Sequence, residues 1–328
     1  MKAKLILLVL LIIGSTACLD QEIQVPANLK SASSSNPEDI TSTLLNQINN
    51  NLEAEGVNYR IAMIEKLVTA NGSDNGATIY SQIVGNKKLI AHFVPGDTRR
   101  EWSGNGATKI TYVIDQLDAV PQNGGLDASE TTDAIKRGFG TWDATICSDL
   151  GLTQIPDGGE DIGVFAYSWW SNFYNVNGFP EPEFWQGSPF IFADIHQCGW
   201  GDLPFAPESG ILGYTVTYVF VDDNGYTDIN SDGLLDAAFR ETYYSDNYNW
   251  QLPNQLAEGY IEVETVAVHE IGHCLSQGHF GTVLIKNDGT VKFSPRAVMN
   301  VVYWDVLTEL QGTDIGGHCG IWDSWPYE

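Results

Sequence analysis

One short run constrains this chain more than any other: His269-Glu270-Ile271-Gly272-His273, followed by Cys274-Leu275-Ser276-Gln277-Gly278-His279. His269 and His273 stand four residues apart, so a helix projects both imidazoles from one face. Two neutral nitrogen ligands with a position left open for water are what a catalytic zinc requires. Glu270, beside the first histidine, can reach that water and take its proton. In a continuing helix His279 would lie about 9 Å further along the axis and be rotated roughly 240° away. For all three histidines to share one ion, the helix must end soon after His273 and the chain must turn back. Gly278 is available for the positive φ of such a turn.

The chain around this run is acidic and built for export. With 16 Lys+Arg against 42 Asp+Glu, the formal net charge of −26 argues against a nucleic-acid binder or a polybasic membrane-surface protein. Lys2 and Lys4 precede an apolar run, Leu5–Ile13, far shorter than the about 20 residues a span needs. Small residues follow up to Cys18, so residues 1–17 read as a signal peptide. The segment resembles a bacterial lipoprotein signal, which implies lipidation of Cys18; the protein is then an exported lipoprotein or a secreted protein, with no other membrane contact. Removing residues 1–17 takes away two lysines, and the balance becomes 14 − 42 = −28. Cys147, Cys198, Cys274 and Cys319 remain, an even number that favours disulfides in an exported protein. Three connectivities are open. Cys147–Cys198 with Cys274–Cys319 is preferred, because the others tie the metal-bearing helix to the first half of the domain.

Residues 18–38 are polar, rich in Ser, and read as a tether. Residues 39–100 form an N-terminal region and a candidate pro-segment. It has a helical pattern (Ile40, Leu44, Leu45, Ile48, Leu52) and strand-like runs at 59–68 and 77–93. The main domain spans 101–328. Residues 109–115 alternate as a strand, and Asp127 with Glu130 forms a capping-box signature. Ile135, Phe139, Trp142 and Ile146 then recur on one helical face. Strand-like runs follow at 163–167, 190–195 and 214–221, and the metal-bearing helix covers about 263–275. The expected class is α+β: a twisted mixed sheet, a long backing helix, a zinc-bearing helix and a small N-terminal α/β region.

The three histidines and Glu270 resemble the metzincin motif H-E-x-x-H-x-x-G-x-x-H, with Ser276 where that family has glycine. Ser294-Pro295-Arg296-Ala297-Val298-Met299-Asn300 resembles its Met-turn, which implies that Met299 forms a soft floor under the zinc. Tyr303, four residues beyond, is placed as in the matrixin branch, where a tyrosine lines the substrate pocket. Trp102–Asp115, Phe192-Ala193-Asp194-Ile195 and Leu203-Pro204-Phe205 through Tyr214 resemble further matrixin segments. The resemblance implies a zinc metalloendopeptidase acting on extracellular proteins or peptides, with an extended substrate paired along an edge strand near Gly213–Tyr218. It implies no structural zinc, because Trp200, Tyr214 and Tyr243 or Tyr244 stand at the corresponding places. His196 is expected to be a hydrogen-bonded structural residue.

Two further signals and one competing reading remain. Asp228, Asn230, Asp232 and Asp236, with Gly233 for a sharp turn and the Leu234 carbonyl, fit a structural calcium loop. Phe93-Val94-Pro95-Gly96-Asp97 resembles an aspartate-bearing latency motif of astacin-type pro-segments, which implies Asp97 as a zinc-blocking ligand. The alternative function is a surface binding or adhesion protein on a degenerate peptidase fold. Ser276 and the aromatic residues Trp169, Trp170 and Trp185 motivate it.

Overall fold

The computed structural model describes residues 37–81, 91–102, 108–178, 186–201, 205, 207–255, 257–285 and 291–326. The signal segment, Cys18, nearly all of the tether, Trp185, Leu203 and Pro204 lie outside the described residues. In chain order come α1 (Pro37–Ala54), β1 (Tyr59–Thr69), β2 (Ile79–Tyr80), β3 (Ala91–His92) and β4 (Thr111–Ile114). Then follow α2 (Ala128–Asp143), β5 (Thr153–Gln154), α3 (Val164–Asn177), β6 (Ile195–Gly201) and β7 (Ile211–Asp222). Next are β8 (Gly225–Tyr226), β9 (Leu235–Ser245), β10 (Trp250–Gln251), β11 (Ile261–Glu262) and α4 (Val263–Cys274). β12 (Thr282–Ile285), β13 (Val291–Ser294), β14 (Val302–Tyr303) and α5 (Gly312–Trp322) complete the chain.

A central mixed sheet runs in the order β14-β1-β7-β9-β6-β4-β5. β5, β4, β6 and β9 are mutually parallel, β7 is antiparallel to β9 and to β1, and β1 is parallel to β14. Helices with an apolar stripe cover both faces, as the class requires. On one face Ile135, Phe139 and Trp142 of α2 pack with Val266 and Ile271 of α4 and Trp322 of α5. On the other, Leu45, Ile48 and Leu52 of α1 pack with Val164 and Phe165 of α3. The helices and the mixed sheet agree with the expected α+β class. Among the described residues no helix is long and apolar enough to cross a membrane.

Asp127 and Glu130 form the expected capping box on α2. Ile146 does not belong to its apolar face: the helix ends at Asp143 and Ile146 is fully exposed. The strand expected at 163–167 is instead the start of α3. The buried carboxylate of Glu241, on β9, accepts from the N–H groups of Val164 (2.7 Å) and Phe165 (2.8 Å). An anion placed there stabilises a helix start, and the sequence around residue 163 carries no trace of it. The strand expected at 190–195 begins only at Ile195. Asp194 just before it accepts from the N–H and hydroxyl of Thr111 and pairs with buried Arg100 at 3.1 Å.

Residues 39–100 contribute α1 and β1 to β3 to the same unit as the rest of the chain from Pro37 onward. The strand expected as a free edge for substrate, β7, is not free. β1 pairs along it, with Tyr59 opposite Phe220, Glu65 opposite Thr215 and Leu67 opposite Gly213. An apolar strand with Ile61, Ile64, Leu67 and Val68 all buried covers an edge that would otherwise expose unpaired backbone.

The disulfide is Cys147–Cys319, with Cα atoms 5.6 Å apart, and Cys198 and Cys274 are free and buried. The preferred pairing is therefore wrong at both bridges. Cys274 sits in the core under one face of the sheet and Cys198 in the core under the other, so neither meets its expected partner. Cys147 lies just beyond α2 and Cys319 lies in α5, which brings the two together. Closing a separation of 172 residues contributes about 5 kcal/mol on the chain-entropy account.

Candidate metal centre

α4 is positioned at both ends by side-chain chemistry. Glu262 caps its start, accepting from the N–H groups of Glu264 (2.8 Å) and Thr265 (2.6 Å). At its end the Gln277 N–H donates to the Gly272 carbonyl and the Ser276 N–H to the His273 carbonyl. That pairing is a Schellman motif, and it needs a left-handed residue at Ser276, where φ is 63°. Of the two residues open to make the turn, Ser276 and Gly278, the reversal falls on Ser276. The strain is offset through its hydroxyl, which accepts from Arg240 Nη2 at 3.0 Å and lies 3.2 Å from His92 Nδ1. Arg240 also donates to the His273 carbonyl, fixing the last turn of the helix. We expect Ser276→Ala to destabilise more than Ser276→Gly, by about 1 kcal/mol in urea unfolding. Both lose the hydroxyl, but alanine keeps the left-handed cost.

The reversal brings the three histidines together. His273 Nε2 lies 3.0 Å from His269 Nε2 and 3.2 Å from His279 Nε2. His269 Nδ1 is 2.8 Å from the Val298 carbonyl and His273 Nδ1 is 2.8 Å from the Gln277 carbonyl. A carbonyl can only accept, so in both rings Nδ1 carries the proton and Nε2 keeps its lone pair. Burial also holds the rings neutral: it pushes His269 down to about 4 and His273 well below the usual histidine range. At least two lone pairs therefore face each other at a distance where no hydrogen bond joins them. A cation between them removes that repulsion, and three imidazoles suit zinc.

Glu270 completes the centre. Its Oε2 accepts from Thr215 Oγ1 at 2.7 Å, while buried Oε1 has no hydrogen-bond partner. The N–H of Leu67 is directed at the carboxylate and favours its charged form without making a full hydrogen bond. Gly213 makes room, since a Cβ there would stand 3.2 Å from Oε1. Burial pushes Glu270 up to about 8, and Glu65, also buried, up to about 8. Glu65 Oε2 is 3.3 Å from His273 Nδ1. Burial thus favours the neutral form of both carboxyls and of the imidazoles, and a dication placed among them would favour ionised carboxylates instead.

Met299 lies against the helix at its glycine. A Cβ on Gly272 would be 2.3 Å from Met299 Sδ and 2.8 Å from Trp142, so only glycine fits. Asp314 of α5 holds that turn, accepting from the N–H groups of Val298 (2.9 Å) and Met299 (3.1 Å). Tyr303 lines a cavity with His269, Val298, Val302, Leu307 and Leu67.

Other expected site residues are placed elsewhere. Both Asp97 oxygens are taken by Arg99, whose Nη2 is 2.7 Å away, and Asp97 caps a short 3₁₀ turn instead of joining the histidines. Asp236 is buried, ion-paired to Arg99 at 2.7 Å, and accepts from Thr227 and the Ile229 N–H. The Asp228, Asn230 and Asp232 side chains are exposed and accept from the loop's own N–H groups, as at Asp232, Gly233 and Leu234. His196 is buried, 3.1 Å from Glu241, and Nε2 accepts from the Phe192 and Ala193 N–H groups. Residues absent from the expectations are Thr215, Arg240, Asp314, Glu65 and Leu67. None stands in a local pattern; strand pairing brings Thr215, Arg240, Glu65 and Leu67 to the centre, and the packing of α5 brings Asp314. No protein-family model matches the sequence, and no curated protein matches it either, so the centre stands on its own geometry.

Proposed function

We propose that this chain is a zinc-dependent metalloendopeptidase of the matrixin-like metzincin type, exported from the cell and acting on protein or peptide substrates. The observation that supports it most is the convergence of His269, His273 and His279, with Nδ1 protons anchored on carbonyls, beside a carboxylate with one unpartnered oxygen. Those histidines would hold the zinc, which supplies Lewis acidity toward water and toward a peptide carbonyl. Thr215 fixes one oxygen of Glu270, so the other is free to take a proton from water as it attacks and to pass that proton to the leaving nitrogen. Met299 packed against Gly272 of the helix and Tyr303 lining a cavity with His269 support the reading. The Cys147–Cys319 bridge agrees with an oxidising compartment.

The test joins metal analysis to a cleavage assay. One zinc per chain, lost together with cleavage of an unfolded protein when His273 is changed to Ala, is the expected result. Cleavage that persists without zinc overturns it. The second reading, a binding protein that keeps the fold without catalysis, draws on the closure of the centre: Glu270 is fully buried. Stoichiometric zinc with no cleavage of any peptide after the centre is opened would favour it.

A further inference from the structure

A second cavity lies apart from the histidines, where β6, β7 and β9 meet α3. Its volume is ≈ 30 Å³, and six rings wall it: Phe165, Trp169 and Trp170 of α3, Trp200 of β6, Tyr214 of β7 and Tyr243 of β9. One water needs about 10–15 Å³ of such space, so two water-sized groups fit. Tyr214 and Tyr243 stack with centroids 5.1 Å apart, and Phe165 meets both edge-on. Trp169 and Trp170 are half-buried, so the rings run from the core to the surface. Ring faces carry negative potential and attract cations.

Carboxylates gather beside the rings. Asp118 and Asp161 line the cavity, and with Asp115 their oxygens lie within 4.8 Å of one another. Asp115 is committed to the backbone: Oδ1 accepts from the Leu117 N–H at 2.6 Å and the Asp118 N–H at 3.3 Å, and Oδ2 from the Ile162 N–H at 2.7 Å. The Gly187 N–H is directed at Asp161, while the Asp118 carboxylate makes no hydrogen bond among the described residues. Burial, and then the charges of Asp161, Asp115 and Asp246, push Asp118 up to about 7. No lysine or arginine of the described residues offsets them. Trp200, only 3% exposed, adds an indole N–H with no hydrogen-bond partner, a donor for a water that enters with a cation.

The walls select the kind of cation. Calcium takes about six to eight oxygens. Here Asp115 is already engaged, the Gln186 Oε1 accepts from Trp170 Nε1 at 2.7 Å, and most of the remaining wall is ring and the Cys198 thiol. Carboxylates at one side and ring faces at the other suit a nitrogen cation that carries carbon. We propose that this cavity binds a primary ammonium group, its nitrogen between Asp118 and Asp161 and its first carbon against the rings. The site stands whether or not the histidine centre is a peptidase.

The test titrates the full, zinc-loaded chain at pH 7.5 with methylammonium chloride, against sodium chloride at equal ionic strength, and reads tryptophan fluorescence and melting temperature. We expect a saturable change and a rise in melting temperature with methylammonium alone, weakened at least ten-fold by Asp118→Asn. That change removes a charge with only like neighbours, so the variant should fold. If it does not, Ala166→Leu, which fills the cavity and keeps every carboxylate, should abolish the response. Nα-acetyl-lysine amide forms the second arm. A response to it as well supports a lysine side chain as the source of the ammonium, and a response to methylammonium alone supports a free amine. No saturable response to either, or one that both variants leave unchanged, overturns the site. Calcium chloride that stabilises the chain through Asp118 while methylammonium does nothing overturns it in favour of a metal.

Discussion

Glu270→Gln, measured on the zinc-loaded chain, should slow peptide cleavage by about 100- to 10,000-fold while leaving one zinc bound. The argument is geometric. Glutamine keeps the size of the side chain and its contact with Thr215 Oγ1, now 2.7 Å from Oε2. It cannot take a proton, so only the proton transfer is lost. The buried carboxyl is pushed up to about 8 in the metal-free chain, so it holds a proton near neutrality until a cation draws it down. Thr215→Val is the companion change. It frees Oε2 and leaves it without a partner, so the carboxylate loses its orientation, and kcat should fall with little change in KM. A Glu270→Gln chain that cleaves as fast as the parent would show that Glu270 is not the base.

What was legible in the sequence was whatever depends on near neighbours. The i, i+4 histidines put two ligands on one face of α4, and the later histidine demanded a reversal that the structure makes at Ser276. Asp127 and Glu130 marked the start of α2 because a capping box is a four-residue pattern. Strand partners are not local. Residues 59–68 read correctly as a strand, but nothing in them says that they pair with residues 211–222 and cover the edge of β7. The same limit explains α3, whose start is stabilised by Glu241 from a distant strand, and Asp236, which is ion-paired to Arg99 from a distant segment. For the disulfide, an even count of cysteines suggested two bridges, whereas the sheet puts two of the four thiols in opposite cores. Periodicity says what each element is; the competition among elements for each other's surfaces says where it goes.

Chelating the proposed zinc should lower the melting temperature by roughly 8 °C at pH 7.5. A ligand present at 1,000 times its dissociation constant stabilises by about 4 kcal/mol, and about 2 °C accompanies each kcal/mol in a chain of this size. The site is prearranged, since the Val298 and Gln277 carbonyls orient two of the rings whether or not metal is bound, so most of the binding energy acts as folding energy. Acid adds a second, separable loss. Burial holds His92 down at about 3 and His318 down at about 4, against about 6.5 for an unfolded histidine. Between those values the unfolded chain binds protons that the folded chain does not. Stability from these two groups is therefore complete above about pH 6.5 and falls as the pH drops toward 4, by a few kcal/mol in all. His92 packs on Trp322 and His318 lies 2.8 Å from Ser148, both outside the metal ligand set. The acid loss should therefore appear with zinc and without it, and His318→Gln should reduce it in both. A melting temperature unchanged by chelation at pH 7.5 would mean that the three histidines hold no metal that matters to the fold.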